Sequence, residues 1–234
     1  MKKFAITSLA LLTLAGCSAV TTKIKVDDTL KQQPELAVKT SGMFWGLGRS
    51  GNFDMAGLYK GDYSRDKSNT WWMPIDDVNA ELVARVIKVS DDQTWNLMCS
   101  GGYTGVNFGG ISVGSSDPYT CQILAGEKNI GKVELRDKSG AIKLGTTKEV
   151  EGFIEMNNIR YQLTSDHQIE GSFMKTDNPS GFHVSQDGKR VAAIYTNGSI
   201  SLQMLPNLTA NQKDVLAVAT IASAMSWRAD ADSE

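Results

Sequence analysis

Ser112 lies within Gly110-Ile111-Ser112-Val113-Gly114, the G-x-S-x-G spacing that can expose a serine nucleophile on a sharp strand-to-helix turn. A nucleophilic serine also needs a histidine base and an orienting carboxylate. The chain has two histidines, His167 and His183, and Asp166 or Asp187 would be the carboxylate beside them. The local context argues against this chemistry. Ser115-Ser116-Asp117-Pro118 follows the motif and reads as a turn into another strand, not as a helix start, so a glycine-rich strand pair is expected. Metal chemistry is weaker still. Asp62, Asp66, Asp76-Asp77 and Asp91-Asp92 supply carboxylates, but no D-x-D-x-D-G loop gathers six to eight oxygens. Such aspartates usually start turns through bonds to the following backbone. The histidines are sixteen positions apart with no cysteine near them. The sequence therefore assigns no catalytic residue, no metal ligand and no cofactor, and a serine-dependent hydrolase stays as an alternative reading.

The elements that would carry any site are mostly strands. Glu81–Val89 and Trp95–Cys99 flank an Asp91-Asp92 turn, and Gly152–Met156 and Ile159–Leu163 flank Asn157-Asn158. Gly181–Val184, Val191–Tyr195 and Ile200–Leu205 are separated by Asp187-Gly188 and Asn197-Gly198, strong hairpin signals. Gly131–Arg136 is expected to turn at Lys138-Ser139-Gly140 and pair with Ala141–Leu144. Near the end, Thr209 and Gln212 have capping-box spacing, and Val215–Trp227 runs thirteen residues without a charge. A helix apolar on every side belongs in a core or a membrane, and this one is too short for a bilayer. Its small residues (Ala217, Ala219, Ala222, Ser223, Ala224) suit a helix enclosed by other backbone. The expected fold is mainly β: an antiparallel barrel, or a sandwich, of many short strands with one apolar C-terminal helix, 210–227, buried in the core. Trp45 beside glycines, and Trp71-Trp72 before Met73-Pro74, fall outside the alternation; they are either core plugs or an interaction surface.

The first residues give an address. Lys2 and Lys3 precede an apolar run from Phe4 to Leu14, the layout of a secretory signal. It ends in Leu14-Ala15-Gly16-Cys17, which closely resembles the lipobox of bacterial lipoproteins. The resemblance implies cleavage after residue 16 and a lipid-modified, palmitate-bearing Cys17. Ser18 follows, with no aspartate to signal inner-membrane retention, so it further implies an outer-membrane protein facing the periplasm. Loss of residues 1–16 lowers the formal charge from −2 to −4, which gives no electrostatic reason to seek nucleic acid or anionic lipid surfaces. Cys99 and Cys121 then remain as an even pair in an oxidising compartment, and a disulfide between them would clamp a loop holding six glycines. The polar stretch 17–41 is expected to be the lipidated N-terminus and a tether, although Lys23–Val26 alternates like an edge strand. A single β-rich domain would fill 42–234.

A second resemblance rests on residues 150–227. Asp187–Ala192, the hairpin that ends in Ile200–Leu205, and then Asp214–Ala219 look like the end of the tubby-like barrel superfamily, with phospholipid scramblases and LURP-one-related proteins. Its members close with a strand pair and a hydrophobic helix that runs through the barrel. The resemblance implies lipid or membrane-proximal work, but no Lys/Arg cluster here matches a headgroup pocket, and Lys189-Arg190 reads as a solvated hairpin tip. The expected function is a non-enzymatic binding module for a lipid or an envelope protein, anchored to the membrane through Cys17. A purely structural envelope scaffold is the other alternative.

Overall fold

The computed structural model describes residues 23–41, 50–64, 82–101, 103–108, 111–116, 118–138, 142–144, 149–173, 175–176 and 178–226. In chain order the elements are α1 (Asp28–Lys31), β1 (Glu35–Thr40), β2 (Ser50–Met55), β3 (Tyr59–Ser64), β4 (Leu82–Lys88), β5 (Thr94–Ser100), β6 (Tyr103–Phe108) and β7 (Ile111–Ser116). They continue with β8 (Tyr119–Ala125), β9 (Lys128–Asp137), β10 (Ile142–Leu144), β11 (Val150–Met156), β12 (Ile159–Asp166), β13 (Gly181–Gln186), β14 (Lys189–Tyr195), β15 (Ile200–Met204) and α2 (Ala210–Ser226).

Twelve strands form a closed antiparallel barrel in the order β1-β15-β14-β13-β12-β11-β9-β8-β5-β4-β3-β2. Each neighbours its predecessor in the chain, apart from two excursions and the closure of β1 against β15 through Leu36↔Leu202 and Val38↔Ile200. The sandwich alternative is thereby excluded. One excursion is the hairpin β6–β7, and the other is β10, which pairs with β7 to give a separate three-stranded sheet. The expected pairing of Ala141–Leu144 with β9 is therefore wrong. The edge of β9 is taken by the longer β11, in register from Val150↔Asp137 to Met156↔Gly131.

The two ends of the barrel differ. At the turn end, tight connections join β2–β3, β4–β5, β8–β9, β11–β12 and β13–β14. Asn157 and Asn158 (φ 51° and 64°) and Asp187-Gly188 (φ 50° and 75°) adopt the left-handed conformations that a two-residue hairpin requires. At the opposite end, the loop end, lie the last residues of β3, β5, β9 and β12 and the first of β4, β8, β11 and β13. The disulfide Cys99–Cys121 joins directly opposed residues of β5 and β8 and fastens the base of the β6–β7 excursion. Closing a loop of this size stabilises the fold by about 3 kcal/mol in the chain-entropy model.

Side chains alternate across the wall. Phe53, Met55, Tyr59, Val86, Trp95, Leu97, Ile123, Val133, Ile154, Tyr161, Phe182 and Leu202 point inward and are buried. The lumen they line is occupied by α2, in which every residue from Asp214 to Met225 is buried. Small side chains on this helix let it pass at close range. The Tyr119 hydroxyl donates to the Ala222 carbonyl (3.1 Å), and Thr220 donates to Leu216 O within the helix. The capping box forms as expected, with Thr209 N donating to Gln212 Oε1 and Gln212 N to Thr209 Oγ1. The outer face carries Lys60, Asp62, Arg85, Gln122, Lys132, Glu134, Glu151, Glu155 and Arg160. A barrel that crosses a bilayer is apolar outside and polar within; this one is the reverse, so its wall meets water.

The expected tether is corrected. Residues 23–41 belong to the folded body: β1 is a barrel stave, and residues 23–34 lie as a strap on the outside of β13–β15. Ile24, fully buried, pairs with Ile169 and packs on Ala193 and Tyr195 with Val26 alongside. Leu30 is buried as well, Asp27 caps α1 by accepting from Leu30 N, and Gln203 Nε2 donates to Gln33 O (2.7 Å). The polar composition concealed this docking, because a few apolar side chains and backbone acceptors suffice to hold the strap.

Candidate binding surfaces

Where α2 passes into the barrel, Asp214 carries a carboxylate that is almost wholly buried. The Tyr59 hydroxyl donates to its Oδ1 (2.6 Å) and Lys88 Nζ to its Oδ2 (3.0 Å); Lys88 also reaches Asp91 (3.4 Å). Burial, then the Asp214 hydrogen bond, push the Tyr59 phenol far above its ordinary value. The Asp214 hydrogen bond holds Lys88 above its own. This network ties the second turn of the helix to β3 and β4. Outside it lies an open cleft of about 420 Å³, lined by Gly57, Leu58, Lys88, Ser90, Ala210 and Lys213. Leu58 and Val89, joined by a backbone hydrogen bond, are half-exposed there. Nothing in the hairpin pattern marks Tyr59 or Lys88 as partners; the signal was the single carboxylate at the start of an otherwise uncharged helical run.

A second concavity, about 560 Å³, crosses the outer wall of β1–β4. Lys39, Asn52, Asp54, Lys60, Asp62 and Ile87 line it. The Arg85 guanidinium binds the Asp62 carboxylate, while Lys39 and Lys60 stand exposed. Mixed charge around one aliphatic side chain suits a polar partner surface better than an acyl chain.

The two histidines are both buried and serve different neighbours. His183 Nε2 donates to Asp166 Oδ2 (2.8 Å), leaving Nδ1 as an acceptor that is buried and unpaired. Desolvation lowers the His183 pKa; Asp166 and Asp27 pull it up, and Arg190 pushes it down. His167 Nδ1 donates to Thr176 O (2.9 Å), and its Nε2 lies 3.4 Å from Ser165 Oγ. Ser165 Oγ already accepts from Val150 N, and the histidine is oriented by a carbonyl rather than a carboxylate. The pair holds strand ends together and lacks the geometry of an activated nucleophile.

Ser112 is the second residue of β7, opposite Asn107 and Lys143 in the three-stranded sheet, and β7 leads into β8 rather than a helix. The elbow geometry is therefore not formed, and the expected glycine-rich strand pair is. Asp91-Asp92 makes the expected turn, with Gln93 N donating to Asp91 Oδ1. Among the described residues, no group of three His, Cys, Asp or Glu is placed to hold a metal ion. Cys17, Trp45, Trp71 and Trp72 lie outside the described residues, as do Asp66, Asp76 and Asp77.

Fold and surfaces define a helix-filled β-barrel with a polar exterior. Compared with known proteins, the chain matches no family model, no curated protein and no solved structure.

Proposed function

We propose that the protein is a lipid-anchored binding module of the cell envelope, cut before Cys17, acylated there and held at the outer membrane facing the periplasm. On this reading the barrel does no chemistry and engages a lipid headgroup or an envelope protein from its outer surface. The observation that carries the reading is the filled lumen: α2, buried from Asp214 to Met225, occupies the barrel, and the two clefts described above lie outside it, on the wall and at the turn end. The groove bearing Lys39 and Lys60 is the larger of the two clefts described and offers cations and carboxylates for a polar partner. The apolar helix running through the barrel also supports kinship with the tubby-like superfamily, whose members work near lipid.

Photo-crosslinking in intact cells tests this. A crosslinker at Lys60, in the groove, is expected to give a discrete lipid or protein adduct, and one at Gln122, on the wall of β8, none. Equal adduct patterns from both positions, or none from either, would refute a groove-centred binding module and favour a scaffold.

A further inference from the structure

The strap gives the barrel an orientation. Its first described residue, Lys23, accepts at its carbonyl a hydrogen bond from Glu170 N (2.7 Å), and Ile24 pairs with Ile169. Both contacts are at the loop end, on the connection between β12 and β13. From there the strap doubles back over β14 and β15: Lys23 pairs with Glu35, the first residue of β1, Lys31 pairs with Glu170, and Gln33 O meets Gln203. Lys23, the residue nearest Cys17 among those described, therefore sits at the loop end. Six peptide steps separate Cys17 from Lys23, at most roughly 20 Å fully extended.

Next to the turn that Lys23 is bonded to stands Phe173, fully exposed and the most exposed large apolar side chain described. It follows a tight turn in which Ser172 N donates to Ile169 O and Gly171 takes φ +77°. The turn is held to the strap through Ile169 and Glu170, and Lys31 pairs with Glu170. Lys25 and Lys175, both exposed, lie on segments bonded to the same turn. An aromatic ring flanked by lysines is the chemistry of a bilayer interface, where the ring sits at the headgroup level and the cations meet phosphates.

We propose that the protein stands on its membrane by the loop end, with Phe173 inserted into the same leaflet that carries the Cys17 lipid, and with the turn end and its Leu58–Val89 cleft facing away. This rests on the proposed acylation of Cys17. The strap is short and docked, so the anchor sets which face meets the lipid instead of leaving the barrel free to tumble.

The test uses the full chain extracted from membranes and reconstituted into phosphatidylethanolamine–phosphatidylglycerol vesicles. Phe173→Cys, and Glu127→Cys at the turn end, are each labelled with an environment-sensitive fluorophore; Cys17 is capped by lipid and Cys99–Cys121 is closed, so the new thiol reacts alone. With nitroxide-bearing lipids, the label at 173 is expected to lose roughly half its emission or more, being within about 5–10 Å of the headgroup boundary, and the label at 127 to be unchanged. Intact mass is read on the same samples. An acylated Cys17 with no quenching at 173, or with quenching at 127 instead, overturns the orientation and leaves the anchor standing, as a protein covering Phe173 would. An unacylated Cys17 overturns both.

Discussion

Asp214→Ala should be among the most damaging single substitutions that remove no core volume. The carboxylate side chain is about 4% exposed and receives two hydrogen bonds, one from Tyr59 and one from the Lys88 ammonium. Hydrogen bonds to a charged group contribute about 1.5–3 kcal/mol each. The two would not be lost in full. Lys88 is partly exposed and keeps Asp91 at 3.4 Å, so its charge is rehydrated when Asp214 is removed. Tyr59 is buried and is left with an unpaired hydroxyl. The net cost is about 3 kcal/mol, or roughly 6–12 °C in melting temperature for a domain of this size. Asp214→Asn retains an acceptor for Tyr59 and should cost about half as much. Urea unfolding of the single substitutions and of Tyr59→Phe/Asp214→Ala makes a double-mutant cycle, expected to give a coupling of about 1.5 kcal/mol. A cost below about 1 kcal/mol for Asp214→Ala, with additive effects in the cycle, would refute the idea that this network holds the helix in the barrel.

Burial, with the Asp214 bond at Tyr59 and the Glu35 charge near Tyr195, raises the phenols of Tyr59, Tyr161 and Tyr195. A raised folded pKa means stability that is complete below pH 10 and lost above it, at about 4 kcal/mol per pH unit for three groups; ultraviolet titration should show them ionising only with unfolding. His183 has the opposite sense: its folded pKa is lowered, so below pH 6.5 the unfolded chain binds the extra proton and stability falls by up to about 1.4 kcal/mol per pH unit. His183→Gln should flatten that acid limb in chemical denaturation, and an unchanged limb would show that His183 is not its source. In Gly152→Ala the new Cβ would lie 1.9 Å from Glu134 O, forcing β11 from β9, whereas Gly188→Ala meets open space and strains only φ. Thermal melts should rank the first at about 3 kcal/mol and the second near 1.

Much of the wall was legible because a hairpin announces itself locally. Asn157-Asn158 and Asp187-Gly188 name their turns, and the inward positions beside them alternate without interruption. The burial of α2 followed from its uncharged length and its alanines, and only a closed barrel surrounds a helix on all sides. What stayed hidden was non-local. Ala141–Leu144 shows the same alternation whether it pairs with β9 or β7, and only the competing length of β11 decides. The strap reads as tether because its docking depends on Ile24, Leu30 and a few backbone bonds to Gln203 and Glu170. The Asp214 network joins positions over a hundred residues apart, and no spacing rule links them. Of the expected chemistry, Ser112 failed on context already visible in Asp117-Pro118.

A lipid-anchored module requires a mature chain that begins at Cys17. Intact-mass analysis of the protein extracted from membranes is predicted to show an N-terminus at Cys17 carrying acyl chains, and Cys17→Ser to leave the precursor uncut. A mature chain that starts elsewhere, or an unmodified Cys17 recovered in the soluble fraction, would contradict the lipid-anchored module and the orientation built on it.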